Sequence, residues 1–152
     1  REEWRRVLDV NLDGAFFTLR EAARHMKQRA EKGDPGGRLI ATSSLGARMG
    51  MMRGEAYAAS KGAIISMMQA LAVEYARYAV TANSILPGHI ETAMTEARYA
   101  NEKFRNAILP RIPLRRWGTP ADFEGIAVYL MSDASAYHTG DSFLIDGGFF
   151  IF

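Results

Sequence analysis

The 152-residue chain predicts an α/β fold built on a parallel sheet, and three observations carry that reading. Long helical periodicities alternate with short apolar runs, in the order helix, strand, helix, strand, helix, helix, strand. The candidate strands RLIATSS, VTANSIL and Ser142 to Ile145 are buried-type runs bounded by glycine, proline or small polar residues. Hydrophobic residues make up 48% and charged residues 24%, the balance of a globular chain with a real core, so residues 1–152 read as a single domain.

From Glu3 to about Glu31, Trp4, Val7, Leu8, Leu12, Phe16, Leu19, Ala23 and Met26 recur at spacings of three and four. Asn11 and Gly14 interrupt that pattern, which predicts a short helix, a break near Asn11 and then a longer helix. GDPGG at Gly33 to Gly37 ends it, and the first strand follows. A loop spaced by Gly46, Gly50 and Gly54 leads to a second long helix, Tyr57 to about Tyr78, with Ile64, Ile65, Met68, Leu71, Ala72 and Tyr75 on its apolar side. The second strand ends at Pro87-Gly88. Thr92 to about Ala107 is helical but polar, and PRIPLRRWGTP is irregular. Thr119 and Pro120 suit the N-cap and first position of a helix running to Met131. The third strand leads into DGG and the apolar tail FFIF, which is expected to join a subunit interface. Three parallel strands with an uncovered first edge look like part of a doubly wound sheet.

Composition narrows the function classes. A net charge of +2 with interspersed signs suggests neither nucleic acid nor a membrane surface as partner. The chain has no cysteine, so disulfides and thiolate metal sites are excluded, and a reducing, cytoplasmic setting is the default expectation. There is no apolar run of membrane-spanning length and no secretory leader pattern at REEWRRVLDV. No His/Asp/Glu cluster has metal-ligand spacing, and no catalytic metal is expected.

Chemistry concentrates between Ser44 and Lys61. A serine closes an apolar run, a tyrosine follows thirteen residues later, and a lysine stands four residues beyond it. Positions i and i+4 share a helix face, so Tyr57 and Lys61 are placed one above the other. An ammonium near a phenol favours the phenolate, and a phenol so tuned is a usable general acid/base. A serine hydroxyl beside it could hold a carbonyl or alcohol oxygen. The ordinary alternative is a half-exposed surface pair, and Met49, Met51 and Met52 read as lining or covering a cleft. Arg115 and Arg116 read as a solvated loop or interface pair.

With these pieces in view, the chain resembles the C-terminal, catalytic part of a short-chain dehydrogenase/reductase. The resemblance covers nearly the whole chain and rests on six motifs in the family's order: VNLDGAF, GRLIATSS, YAASKGA, NSILPGHIET, PLRRWGTPAD and TGDSFLIDGG. It implies a partial Rossmann-like sheet flanked by helices. It also implies an oxidoreductase that interconverts a small-molecule alcohol and a carbonyl with NAD or NADP. Tyr57 then matches the catalytic acid/base, and Lys61 the lysine that lowers the tyrosine pKa and holds the nicotinamide ribose. Ser44, rather than Ser43, matches the serine that steadies the substrate oxygen. Asn11 matches the asparagine that holds a water in a proton relay. Pro87, Gly88, Ile90 and Thr92 match the loop at the nicotinamide end, by backbone at Ile90 and hydroxyl at Thr92. The polar segment after Thr92 falls where the family has its substrate-covering lid, and the two long helices where it builds a homo-oligomer interface.

The resemblance also implies an N-terminal half that is not present here, with the glycine-rich turn that receives the pyrophosphate. Gly46, Gly50 and Gly54 lack the Gly-x-Gly pair of such a turn and read as active-site loop. Two further readings stand beside the dehydrogenase. One is a cofactor-independent hydrolase using Ser44, with Thr42-Ser-Ser44-Leu-Gly46 one residue short of a nucleophile elbow and His89 as the candidate base. The other is a non-catalytic oligomeric remnant of the family.

Overall fold

A computed structural model describes all 152 residues. Three parallel strands, β1 (Gly37–Thr42), β2 (Val80–Pro87) and β3 (Ser142–Ile145), form one sheet in the order β1-β2-β3. Thr42 stands opposite Ile85 and Leu86 opposite Leu144, so the carboxyl ends of β1 and β2 open onto the same edge. β1 has one strand neighbour and an open outer edge.

The expected break near Asn11 is present, with a defined form. α1 (Glu2–Leu8) passes through a π-helical turn, Asp9–Asp13, into α2 (Gly14–Glu31), so the chain widens by one residue there without stopping. α3 (Glu55–Tyr75) starts two residues before Tyr57, and its last turn, Ala76–Tyr78, is 3-10. Leu19 and Ala23 of α2 and Ile64, Met68, Ala72 and Tyr75 of α3 pack on Leu39, Ala41, Val80 and Ala82 of the sheet in one buried cluster. Burying each leucine, isoleucine, valine or methionine of this cluster stabilises the fold by about 1.5–3 kcal/mol. The periodicity expected from Glu3 to Glu31 was wider than this face: Trp4 of α1 and Phe16 of α2 stay 43% exposed.

α6 (Glu124–Met131) approaches the other face of the sheet, where the Arg38 guanidinium donates to the Ser132 carbonyl at 3.4 Å. Helices therefore flank the sheet on both sides, and the architecture is α/β and doubly wound. The helix expected from Pro120 is 3-10 over Pro120–Phe123 and α only from Glu124. Thr119 and Asp122 form a capping box that closes this tight first turn. The polar segment after Thr92 is two short helices, α4 (Glu96–Ala100) and α5 (Glu102–Ile108), with Asn101 capping the second through Phe104 N–H at 3.0 Å. Of the apolar tail, Phe149 turns inward and is buried, while Phe150, Ile151 and Phe152 are exposed. No helix is long and apolar enough to cross a membrane.

Candidate active site

Two serines at the end of β1 have separate tasks. Ser43 is buried; its N–H donates to the Ile85 carbonyl at 2.8 Å and its hydroxyl to the Lys61 carbonyl at 2.7 Å. It therefore ties strand to helix. Ser44 is extended and half-buried, and its hydroxyl accepts the Gly46 N–H at 3.0 Å, capping the short 3-10 turn Leu45–Ala47. The Lys61 Nζ lies 5.8 Å from the centre of the Tyr57 ring and donates to the Thr42 carbonyl at 3.0 Å. Burial pushes the Lys61 ammonium below the ordinary lysine range. A Cβ on Gly46 would lie 3.4 Å from both Ser44 Oγ and Tyr57 Cε1, so the bare glycine leaves these two side chains facing one small space. The arrangement offers a phenol, a hydroxyl and a cation to an oxygen that gains or loses a proton.

Asn11 reaches α3 at Ser60, three residues after Tyr57. From the π-turn its side-chain amide donates to Ser60 Oγ at 3.1 Å, and the Ser60 hydroxyl donates to the Tyr57 carbonyl at 2.7 Å. Ser60 is fully buried. Sequence reasoning passed over it; the available signal was a hydroxyl three residues after Tyr57 on the helix face that must meet the preceding helices.

The loop after β2 is pinned on two sides. Gly88 N–H donates to the Ile145 carbonyl at 2.9 Å, and an added Cβ there would strike Asp146. Ile90 pairs with Gly118 in an isolated parallel bridge, through Glu91 N–H to Gly118 O and Gly118 N–H to His89 O, both 2.9 Å. The Thr95 hydroxyl donates to the Ile90 carbonyl and stands 3.1 Å from the Thr92 hydroxyl. The Ile90 N–H takes part in none of these backbone bonds. A depression of about 270 Å³ lined by Glu91, Thr92, Ala93, Glu96 and Tyr99 lies beside it. Pro87, Gly88, Ile90 and Thr92 thus share the sheet edge that carries Ser44, although Tyr57 does not line this depression.

Over this edge sits a second buried cluster. Leu45, next to Ser44, packs with Ile112, Trp117 and Phe149, and Met49, Tyr99 and Phe104 pack against them. Met52, by contrast, is 90% exposed. His89 is half-buried here, its ring 4.7 Å from that of Phe149 and 5.2 Å from that of Trp117. Burial first, then the charges of Arg111 and Arg98, push its imidazole below the ordinary histidine range, with Asp146 opposing. Arg116 stays exposed, as expected of a solvated loop residue, and forks onto Asp122 at 2.6 and 2.8 Å, bracing the turn behind Gly118.

A serine nucleophile needs a base at hydrogen-bond distance, and the Ser44 hydroxyl has none among the histidines. His89 is packed among aromatic rings, His138 is bonded to Tyr129 at 3.0 Å and Asp141 at 2.9 Å, and His25 is exposed on α2.

The comparisons with known proteins agree in kind. The family described as enoyl-(acyl carrier protein) reductase matches residues 1–150. The 2-dehydro-3-deoxy-D-gluconate 5-dehydrogenase of Pseudoalteromonas atlantica is 43% identical over 145 residues, 95% of this chain and 55% of that protein. The L-rhamnose 1-dehydrogenase (NAD(P)(+)) of Azotobacter vinelandii is 37% identical over 151 residues, 99% of this chain and 57% of that one. The crystal structure of a gluconate 5-dehydrogenase from Burkholderia cenocepacia, in complex with NADP and tartrate, superposes with a TM-score of 0.93 at 31% identity, covering 100% of this chain and 58% of that one. The chain thus spans little more than half the length of the relatives it matches.

Proposed function

The chain belongs to the short-chain dehydrogenase/reductase family, and from that premise we propose that it carries the proton-transfer half of an NAD(P)-dependent oxidoreductase acting on an alcohol/carbonyl pair. The observation that supports this most is the convergence of Ser44, Tyr57 and Lys61 at the carboxyl end of β1. In this reading Tyr57 moves the proton to or from the substrate oxygen at its phenolic OH. Ser44 holds that oxygen by donating its own hydroxyl proton, which is free to turn outward because the Gly46 N–H uses only an acceptor lone pair. Lys61 keeps a cation one turn from the phenol, and its Thr42 contact fixes where the ammonium stands. Asn11 and Ser60 hold the Tyr57 segment of α3 in register, and Asn11 is the candidate for the proton relay.

The nicotinamide cofactor supplies hydride transfer when bound. The residues present suit its nicotinamide end: an Ile90 N–H with no backbone partner, the Thr92 hydroxyl, and the Lys61 ammonium with donors beyond the one given to Thr42. Pro87 and Gly88 set the course of that loop. The relatives' names include a sugar-acid and a neutral-sugar dehydrogenase, so a small polyhydroxylated substrate is the class we favour. Exposed Val10, Phe16 and Phe17, with Val73 on α3, support a homo-oligomer formed through these helices. The chain is titrated with NADH and NADPH by nicotinamide fluorescence, and turnover is followed by nicotinamide absorbance with sugar acids and sugars. Saturable cofactor binding and turnover that vanishes in Tyr57→Phe are expected; turnover that survives this substitution sinks the proposed role.

A further inference from the structure

The cluster over the site gathers donors that have no acceptor. Trp117 is 3% exposed, and its Nε1 is buried with no hydrogen-bond partner. A buried indole N–H ordinarily finds one. Its ring is 5.2 Å from that of His89, whose ring is 4.7 Å from that of Phe149. The Arg111 guanidinium lies 4.3 Å from the centre of the same Phe149 ring and takes part in no ion pair. The Asp146 carboxylate, whose charge acts on His89, already accepts the N–H groups of Gly148 at 2.9 Å and Phe150 at 2.8 Å. Phe149 and Trp117 pack on Leu45, the residue after Ser44, so the donors sit above the serine end of the site.

We propose that Arg111, with His89 and the Trp117 indole N–H, recognises the carboxylate of the substrate and makes the site selective for a sugar acid over a neutral sugar of the same length. A guanidinium matches a carboxylate with two parallel N–H donors, and an aromatic face holds that guanidinium in place while leaving its edge free. The indole N–H supplies a neutral donor that still lacks an acceptor. This inference rests on the oxidoreductase reading, which puts the reacting oxygen of the same molecule at Tyr57 and Ser44.

The test uses Trp117 as its own reporter. Trp4 is the only other tryptophan, and Trp4→Phe removes it from an exposed position. The chain is titrated with D-gluconate and with D-glucitol, which share a carbon skeleton and differ in charge. We expect gluconate to change the emission saturably, with a dissociation constant at least about tenfold below that of glucitol, the usual size of a charge-assisted contact. Arg111→Gln is expected to abolish that preference by weakening gluconate binding about tenfold or more, and Arg111→Lys to restore part of it. Equal binding of the two, binding of neither, or a preference that survives Arg111→Gln overturns the inference. Tyr57→Phe separates it from the oxidoreductase reading. That variant is expected to lose turnover yet keep the gluconate preference, and a wild-type chain with no turnover but an intact preference fails only the former reading.

Discussion

Asn11 and Ser60, 49 residues apart, are joined by a 3.1 Å hydrogen bond in which the Asn11 amide donates to a fully buried hydroxyl. Ser60 in turn donates to the Tyr57 carbonyl at 2.7 Å. A π-turn positions the Asn11 end, and α3 carries the other, so the pair locks the tyrosine's helix to the helix beneath it. Ser60→Ala removes both bonds at once and leaves the Asn11 amide without its partner. The expected loss of stability is about 1–3 kcal/mol by denaturant unfolding. Asn11→Ala should cost less, because Ser60 keeps its bond to Tyr57, and the double variant should cost less than the two singles together. Strict additivity would show that the link carries no energy.

Lys61 is expected to imprint a basic limb on the stability profile. Burial holds its ammonium below the ordinary lysine range. Between that lowered value and about 10.5, the unfolded chain binds more proton than the folded one. Its contribution to stability therefore rises with pH across that interval and is smallest below it. Lys61→Met removes the titration, so the stability difference, wild type minus variant, should increase from pH 8 toward pH 11. A difference that is flat or falls over that range contradicts the buried-cation assignment.

Sequence reasoning reached the elements whose signals are local. The run SFLI is a strand over Ser142–Ile145, the i+4 spacing does put Tyr57 and Lys61 on one face, and Asn11 does mark the break in the first helix. It missed what depends on distant partners. Phe16 and Trp4 carry the right periodicity, but period alone states which face they share and not whether anything covers it. The Arg116–Asp122 fork depends on a tight 3-10 first turn after Thr119, which Pro120 permits but does not specify against an α-helical start. The contacts among His89, Trp117 and Phe149 join residues from three separate loops, and no spacing rule brings them together.

Two glycines should respond oppositely to alanine. At Gly88 a Cβ would lie 2.5 Å from Asp146 Cβ and 2.7 Å from its Cα, and backbone at that distance cannot simply rotate away. Gly88→Ala is expected to cost about 1–3 kcal/mol as the loop after β2 and the end of β3 move apart. It should also weaken nicotinamide fluorescence enhancement if that loop holds the cofactor. At Gly62, inside α3, nothing lies within 4 Å of the added carbon. Gly62→Ala is expected to stabilise the helix by about 0.5–1 kcal/mol, since alanine loses less backbone freedom on folding. Paired melting curves measure both, and a stabilising Gly88→Ala would remove the steric argument.

The fork between Arg116 and Asp122 predicts an acid-sensitive contribution to stability at the turn behind Gly118. The Arg116 guanidinium first, then the Thr119 N–H at 2.7 Å, hold the Asp122 carboxyl well below the usual carboxylate range. A depressed carboxyl contributes its full stability above its unfolded value, near ~3.9, and gives it up progressively as pH falls from there toward the folded value. Asp122→Asn should therefore lower the melting temperature by a constant amount from neutral pH down to about pH 5. That gap should close progressively below about pH 4, where wild type gives up what the variant never had. The Gly118 bridge to Ile90 stands directly before this turn, so the variant should also loosen the loop that carries Ile90 and Thr92. Amide exchange at Glu91 and Gly118, whose N–H groups form that bridge, reads the loosening. Faster exchange at both in Asp122→Asn, with the core of α3 unchanged, is the expected pattern. Unchanged exchange at both would mean that the fork braces only its own turn.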